Sequence, residues 1–350
     1  MKDSINILGH DIPYDEIRRY MHSDAEKNGT EFYMNDPKFA IDLCHYTTVD
    51  AFKSMLEQMK KEKSEDLTFW ASNVHYMNDP RELEFFYDEL NKILPELENE
   101  LDIKGIRFSA FSQLKNTPMG IDIDKDIKDN VYNRIFRNAY AVSLSKHKDY
   151  LPMWSLYGNN GCGLCLVFDR FRFYECFKGE NEKGIRIVEM SYKLRDSEIW
   201  DVLKDLYKTY YHKIEDKKEG HDFMTIRRTF ISEALLRFSL CMKHSAYSYE
   251  DEVRLYDHVI YPGDADDILA KADINHVNSK YDKKRDPDVR VKNGMLIPYK
   301  KVRIPISFLQ TVIVGPTKNT KLQCNAMEIL RRNLNLKFEV QPSSVPYREI

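Results

Sequence analysis

The chain lacks both a surplus of positive charge and a long apolar run. Its 53 Lys and Arg residues are balanced by 56 Asp and Glu, so the net charge is −3. A nucleic-acid partner would therefore need a local basic patch, because no global positive field attracts it. No run approaches the roughly 18 apolar residues of a membrane span, and the first residues contain no apolar signal-peptide core. We expect a cytoplasmic protein with no membrane partner.

Cysteine is also sparse, with six residues scattered over 350. We expect these cysteines to be reduced thiols in apolar surroundings. Cys162 and Cys165 form a lone C-x-x-C, but the predicted strand that follows would point positions i and i+3 to opposite faces. A zinc site would need a turn there and two further ligands. The sequence therefore favours no metal site.

Hydrophobic periodicity predicts an α+β fold with a mixed, mainly antiparallel sheet. Residues 1–40 are polar with little periodicity, which suggests an N-terminal arm, whereas 41–345 are expected to form a single domain. The run 197–243 is helical but interrupted, which predicts a helical hairpin inserted between strand-rich halves. Strands are predicted at 41–47, 67–72, 140–145, 164–168, 185–192, 253–260, 295–298, 311–314 and 337–340. Helices are predicted after Thr47 or Thr48, after Asp79, at 149–157 and at 321–333.

The densest charged motif is the segment 247–255, in which three carboxylates and an arginine follow two tyrosines. In an extended segment, Glu250, Glu252 and Arg254 would share one face. Burial of such groups is costly unless they are paired, hydrated or functional. The structural alternative is an ordinary Glu–Arg pair on an edge strand.

Four motifs occur in order along the chain. They are His45–Thr47, Asn78–Glu82, Ser143–Ser145 leading to Met153–Gly158, and Lys243 with Tyr249–Arg254. Together they resemble an uncharacterised bacterial family known only as a domain of unknown function, over roughly residues 41–315. The chain departs from the family pattern at Lys146, where a carboxylate commonly follows the serine, and the resemblance implies no activity.

The same order of motifs resembles, more distantly, the H-Y-E pattern of ADP-ribosyltransferases. This resemblance implies an ADP-ribosyltransferase-like fold with NAD as the substrate. It implies His45 as the ribose ligand, Trp154 or Tyr157 as the group that stacks on nicotinamide, and Glu252 or Glu250 as the catalytic carboxylate.

Further polar groups are expected to complete this site. Arg254 or Lys243 could hold the pyrophosphate or align the glutamate. A fixed carboxylate would stabilise the positive charge that develops on the ribose as its bond to nicotinamide breaks. The remaining candidate binding residues are Tyr46, Thr47, Asn78 and Ser143.

The resemblance thus implies an NAD-consuming enzyme, either an ADP-ribosyltransferase or an NAD glycohydrolase, acting as a toxin or phage-defence effector. The acceptor would be a protein, a nucleic acid or water. One alternative is a metal-dependent nuclease with Asp79, Glu82, Glu250 and Glu252 as Mg²⁺ ligands. Another is a non-catalytic module whose aromatics line a cleft for a nucleotide or a partner.

Each candidate residue also has a structural explanation. His45 can be a satisfied histidine at a strand end, and Asp79 with Glu82 can simply cap a helix. Trp154 and Tyr157 can be core aromatics.

Overall fold

The computed structural model describes residues 4–7, 10–13, 42–79, 84–100, 139–177, 185–194, 200–201, 204, 238–258, 287–292 and 294–346. Most of the helical hairpin predicted at 197–243 lies outside these residues. So do Pro80 and Glu82, two of the three residues of the predicted helix cap.

Within the N-terminal arm, two short strands form an antiparallel pair. β1 (Ser4–Ile7) pairs with β2 (His10–Pro13), with Ile5 opposite Ile12. The sequence predicts no strand in this arm, because four-residue strands are too short to show periodicity.

The domain alternates short helices with the strands of one large sheet. Its first half contains β3 (Leu43–Thr47), α1 (Val49–Glu62), β4 (Asp66–Asn73), α2 (Glu84–Glu100), β5 (Ala139–Ser145), α3 (Leu151–Leu156), β6 (Leu164–Phe168), α4 (Arg170–Phe177) and β7 (Ile185–Glu189). Its second half contains β8 (Glu252–His258), β9 (Asp288–Lys292), β10 (Met295–Pro305), β11 (Leu309–Val314), α5 (Thr320–Asn333) and β12 (Glu339–Pro342).

Among the described residues, ten strands form this mixed sheet, whose pairs are antiparallel except for β11 with β12. The order is β12-β11-β6-β3-β5-β4-β10-β9, while β8 joins β5 and then β7. The α+β class and the mainly antiparallel sheet are therefore confirmed. No helix in the described part of the chain is both long and apolar enough to cross a membrane.

Strand alternation divides the sheet into two faces with different contents. Face A, which includes Leu43, Val142 and Leu255, packs against α1, α4 and α5 in the main hydrophobic core. Face B carries a smaller core that includes Cys44 and Trp154. The polar residues at alternate positions of β5 and β8 point to face B, because their neighbours in sequence point to face A.

β5 lies where the sheet divides. On one side it pairs with β8 along its whole length, from Ala139 to Ser145. On its other side, β4 pairs near Tyr140 and β3 pairs only at Ser145. The backbone of β5 between these two contacts consequently needs another hydrogen-bond partner.

Candidate functional site

The charged motif approaches face B through a turn rather than as one extended strand. Residues Ser245–Glu250 form a 3₁₀ helix, and Asp251 follows in the left-handed region with φ 40°. Glu252 and Arg254 then share a face of β8, whereas Glu250 arrives from the preceding turn. The expectation of one extended face was wrong for Glu250, although its side chain still reaches the same cluster.

A buried ion cluster forms around the first residues of β8. Arg254 binds both oxygens of Glu252, with Nε to Oε1 at 3.0 Å and Nη2 to Oε2 at 3.1 Å. Lys243 bridges the two carboxylates, with Nζ 2.6 Å from Oε2 of Glu250 and 3.1 Å from Oε2 of Glu252. The cluster thus pairs two cations with two carboxylates, the condition under which burial of charge is tolerated.

The carboxylate of Glu252 is held in its ionised form. Only 1% of Glu252 and 0% of Arg254 is exposed. Burial by itself raises the pKa of Glu252. The charges of Arg254 and Lys243, with hydrogen bonds from Arg254 and Ser143, have the larger and opposite effect, so the pKa is lowered to about 2. Arg254 also donates to the carbonyl of Leu240 at 3.3 Å, so its contacts match the aligning role and not the pyrophosphate role.

Glu250 connects the buried cluster to the protein surface. Tyr157 donates its hydroxyl to Oε1 of Glu250 at 2.5 Å, and exposed Asn78 donates Nδ2 to that same hydroxyl at 3.2 Å. Burial and the neighbouring carboxylate raise the pKa of Tyr157, so the phenol remains a proton donor at physiological pH. Asn78, Tyr157 and Glu250 are therefore brought together.

Three further residues support this arrangement, and one of them, Tyr192, was not singled out from the sequence. Ser145 donates its hydroxyl to the backbone carbonyl of Glu250 at 2.6 Å. Tyr192 accepts the backbone N–H of Glu252 at 2.9 Å, and Nζ of Lys243 lies 4.8 Å from the ring centroid of Tyr247. No local sequence pattern predicts these contacts, because they depend on how separate segments of the chain pack together.

His45 lies on the other side of the sheet from the carboxylates. Its ring contacts Phe69 at 5.1 Å on face A, but its Nδ1 reaches the backbone carbonyl of Ser143 at 3.0 Å. Since a carbonyl only accepts, Nδ1 carries the proton and Nε2 is the acceptor nitrogen. Burial lowers the pKa of His45, which favours this neutral form. His45 thus serves the β5 backbone at the division of the sheet.

Tyr46, Thr47 and Trp154 belong to packed structure beside the cluster. Trp154 is fully buried, packs edge-to-face on Tyr46 and donates Nε1 to Asp149 at 2.8 Å. The hydroxyl of Tyr46 donates to the carbonyl of His147 at 2.9 Å. Thr47 is also buried. Of the two candidates for stacking, only Tyr157 reaches the carboxylates.

The glycines that follow Trp154 are required by close backbone contacts. A Cβ on Gly163 would lie 2.3 Å from the carbonyl oxygen of Thr47, and one on Gly158 would lie 2.5 Å from the Trp154 ring. The M-W-x-x-Y-G motif therefore encodes a tight turn that presents Tyr157.

Lys146, which stands where the family pattern commonly has a carboxylate, forms ion pairs with two carboxylates. Its Nζ forms ion pairs with Glu189 and with Oδ1 of Asp251, and its backbone N–H donates to the carbonyl of Asp251 at 3.0 Å. This group adjoins the turn that delivers Glu250. It fixes that turn without entering the buried cluster.

The described residues contain no group of three or more His, Cys, Asp or Glu side chains arranged to hold a metal ion. Glu250 and Glu252 are instead bound by Lys243 and Arg254. Asp79 is buried near this region, and Glu82 lies outside the described residues. The contacts of the two glutamates do not match the expected Mg²⁺ site of a nuclease, since Lys243, Arg254 and the hydroxyl of Tyr157 already bind their oxygens.

Comparison with known proteins gives one match. Residues 153–255 match a family model described as a protein of unknown function (DUF2971). The expected resemblance to a domain of unknown function is confirmed over this segment, which is less than a third of the chain. No curated protein and no solved structure matches the chain. The matched segment contains Trp154, Tyr157, Lys243, Glu250, Glu252 and Arg254.

Proposed function

We propose that this protein consumes NAD by cleaving the bond between nicotinamide and ribose, with Glu250 as the catalytic carboxylate. The observation that carries the proposal is the position of Glu250 between buried Lys243 and partly exposed Tyr157. A carboxylate held in this way is preorganised and lies close to solvent through Asn78. Depletion of cellular NAD would give the protein a role as a toxin or defence effector.

The chemistry requires a fixed negative charge beside the ribose. As the bond breaks, its electron pair leaves with nicotinamide and positive charge develops on the sugar. Glu250 stabilises this charge. An acceptor oxygen then bonds to the ribose carbon that nicotinamide has left, and its proton passes to solvent water. Tyr157 remains protonated, because its pKa is raised, and thus holds Glu250 in one orientation. Preorganised electrostatic groups of this kind are each worth about 3 kcal/mol in the transition state.

The remaining candidate residues act on the position of Glu250. Lys243 binds Glu250 directly. Glu252 in turn binds Lys243, and Arg254 holds Glu252 in place. His45 contributes through the backbone of Ser143, whose side chain hydrogen-bonds to Glu252. In this proposal His45 is a positioning residue rather than the ribose ligand.

A non-catalytic nucleotide-binding role is the second candidate. It is favoured by the balance of two cations against two carboxylates, which leaves a neutral, well-paired cluster. In that case NAD or another nucleotide would bind at Tyr157 and Asn78 without turnover.

Nicotinamide release from NAD by the full chain tests the proposal. We expect turnover by the wild-type protein and a loss of about 10²–10³ in rate for Glu250→Gln. Tyr157→Phe removes one donor to the same carboxylate and should cost about 10². Transfer of labelled ADP-ribose to protein or nucleic acid in the same reaction identifies the acceptor.

Two matched variants control for charge and for loss of a hydroxyl. Glu57→Gln changes an exposed carboxylate on α1, and Tyr76→Phe changes an exposed tyrosine. Both should retain full activity. Absence of nicotinamide release and of ADP-ribose transfer by the wild-type protein would overturn the proposal, and NAD binding without release would support the second candidate.

A further inference from the structure

The edge strand β9 exposes apolar side chains. Val289 is 56% exposed and Val291 is 72% exposed, and Leu296, which lies opposite Val291 on β10, is 62% exposed. In the described part of the chain, no strand pairs with the outer edge of β9. An exposed apolar edge is a template for pairing with another strand.

The hydrogen-bond pattern of the β9–β10 hairpin determines which groups of β9 face outwards. Lys292 pairs with Met295 across a two-residue connection, and such a closing pair exchanges its backbone hydrogen bonds. Because hydrogen-bonded and non-hydrogen-bonded pairs alternate, the backbone groups of Arg290 also point to β10. Those of Val289 and Val291 therefore point to the open edge.

We propose that β9 pairs antiparallel with β9 of a second copy of this chain, about a twofold axis at Arg290. In this register Val289 lies opposite Val291 of the second copy. The backbone N–H of Val289 donates to Oδ1 of its own Asp288 at 2.8 Å, so pairing exchanges this acceptor for the backbone carbonyl of Val291 of the second copy. Asp288 lies opposite Lys292 of the second copy, so each copy supplies both signs of charge. Opposite charges and β-branched pairs directly across strands stabilise a sheet, and a twofold axis forms each pair twice.

The charge at the axis does not oppose this pairing. Arg290 donates Nη2 to Oγ of Ser72 at 2.7 Å, and its guanidinium carbon lies 5.4 Å from the ring centroid of Trp70. The guanidinium therefore lies over β4 of its own sheet, away from the twofold axis. An apolar row would then cross the interface. It would consist of Leu296 and Val291 of one copy, followed by Val289 and Pro298 of the second copy.

Sedimentation of the full chain over a broad range of protein concentration tests the proposal. The wild-type protein should show a concentration-dependent mass of two chains. Lys292→Glu places two carboxylates opposite each other and should weaken association by about tenfold or more. Val291→Pro removes an outward N–H without removing a hydrogen bond to β10 and should have the same effect. Lys321→Glu, an equal change of charge on α5, should leave association unchanged.

The double change Asp288→Lys with Lys292→Glu tests the register itself. It restores opposite charges across the twofold axis, so association should recover relative to Lys292→Glu alone. A wild-type protein that is one chain at every concentration would overturn the proposal. So would a dimer that Lys292→Glu and Val291→Pro leave unchanged, because another surface would then form the interface.

Discussion

Glu250 and Glu252 differ in how their carboxylates are held, although a single residue separates them. Glu252 is bound by Arg254, Lys243 and Ser143 and is 1% exposed. Glu250 shares Lys243 but turns its other oxygen to Tyr157. The left-handed conformation of Asp251 between them produces this difference. Glu250 is also buried, at 4% exposed, but it contacts the partly exposed Tyr157. In our proposal it is therefore Glu250, and not Glu252, that acts on the ligand.

Because Glu252 is ionised in the folded protein, the free energy of unfolding depends on pH. Because its folded pKa, about 2, is below the ordinary value of 4.5, the unfolded chain binds a proton first as the pH falls. The contribution of Glu252 is therefore complete above about pH 4.5 and is lost as the pH falls towards 2, in total about 3 kcal/mol. The free energy of unfolding, measured between about pH 5 and 3, should fall less steeply in Glu252→Gln than in the wild-type protein.

Glu252→Gln should also cost about 3–5 kcal/mol at neutral pH, because Arg254 then remains buried opposite a neutral amide. Glu57→Gln on the surface of α1 provides the comparison and should keep the wild-type acid dependence. Parallel stability curves for wild type and Glu252→Gln would contradict the assignment of the low pKa to this residue.

At this scale the sequence identified the charged groups but not their geometry. Glu250, Glu252 and Arg254 were visible as a dense motif, and Lys243 as the cation that precedes it. The role of Tyr192 was not visible, because it depends on a contact with Glu252 across 60 residues. The placement of His45 on face A follows from strand register, which a single sequence does not reveal.

At the scale of elements, the division of the sheet explains why a histidine lies in the middle of β3, and not at the strand end that the sequence predicted. β3 and β4 contact different parts of β5, and His45 fills the interval by donating Nδ1 to the carbonyl of Ser143. A buried carbonyl without such a donor carries a desolvation cost. The histidine therefore links β3 to β5 where the regular ladder is missing.

Two substitutions at His45 separate this linking role from any other. His45→Ala removes the donor and should cost about 1–3 kcal/mol in unfolding free energy. His45→Asn places an amide nitrogen near the former Nδ1 and should recover most of that loss. Nicotinamide release should follow the same order if His45 acts through Ser143. Equal losses of stability for both variants would show that the hydrogen bond is not the contribution that matters.

The titration of His45 gives a second measurement. Because burial lowers its folded pKa below 6.5, its contribution is present above about pH 6.5 and declines as the pH falls. His45→Asn does not titrate, so this decline should be absent from the variant.

The predicted elements agree with the structure where local periodicity is strong and differ where tertiary contacts decide. β10 extends to Pro305, beyond its predicted end at 298, because residues 299–305 pair with β4. Lys300 in this extension is buried, with Nζ 3.1 Å from Oδ2 of Asp257. α4 and β9 were missed. The pair Asn293-Gly294 is a known hairpin signal and could have located β9.

At the scale of the whole molecule, the segment that matches the family model is not a structural unit. It contains β6, β7 and only the first part of β8, and β6 pairs with β3 and β11, which lie outside it. Asn78, His45 and Ser143 are also outside the segment, although their contacts complete the cluster. The segment and the strands around it must fold together before the site exists.

Asp149 shows how distant parts of the chain are tied together. Its Oδ1 accepts from Nε1 of Trp154 and the hydroxyl of Ser343, and its Oδ2 accepts from the backbone N–H and hydroxyl of Ser344. These contacts span up to 195 residues and join the start of α3 to the segment after β12. Burial raises the pKa of Asp149, but its hydrogen bonds lower it further, to below the ordinary value.

Asp149→Asn tests this connection without disturbing the backbone. Asp149 has φ 53°, a conformation that asparagine also tolerates, so the change removes only one acceptor oxygen. The amide group faces the donors of Ser344 or of Ser343 and Trp154, and we expect a loss of about 1–3 kcal/mol in unfolding free energy. Hydrogen exchange at the backbone N–H of Ser344 should become faster, while that of the central strand β5 changes only with global stability. Unchanged exchange at Ser344 would show that the C-terminal segment is held by other contacts.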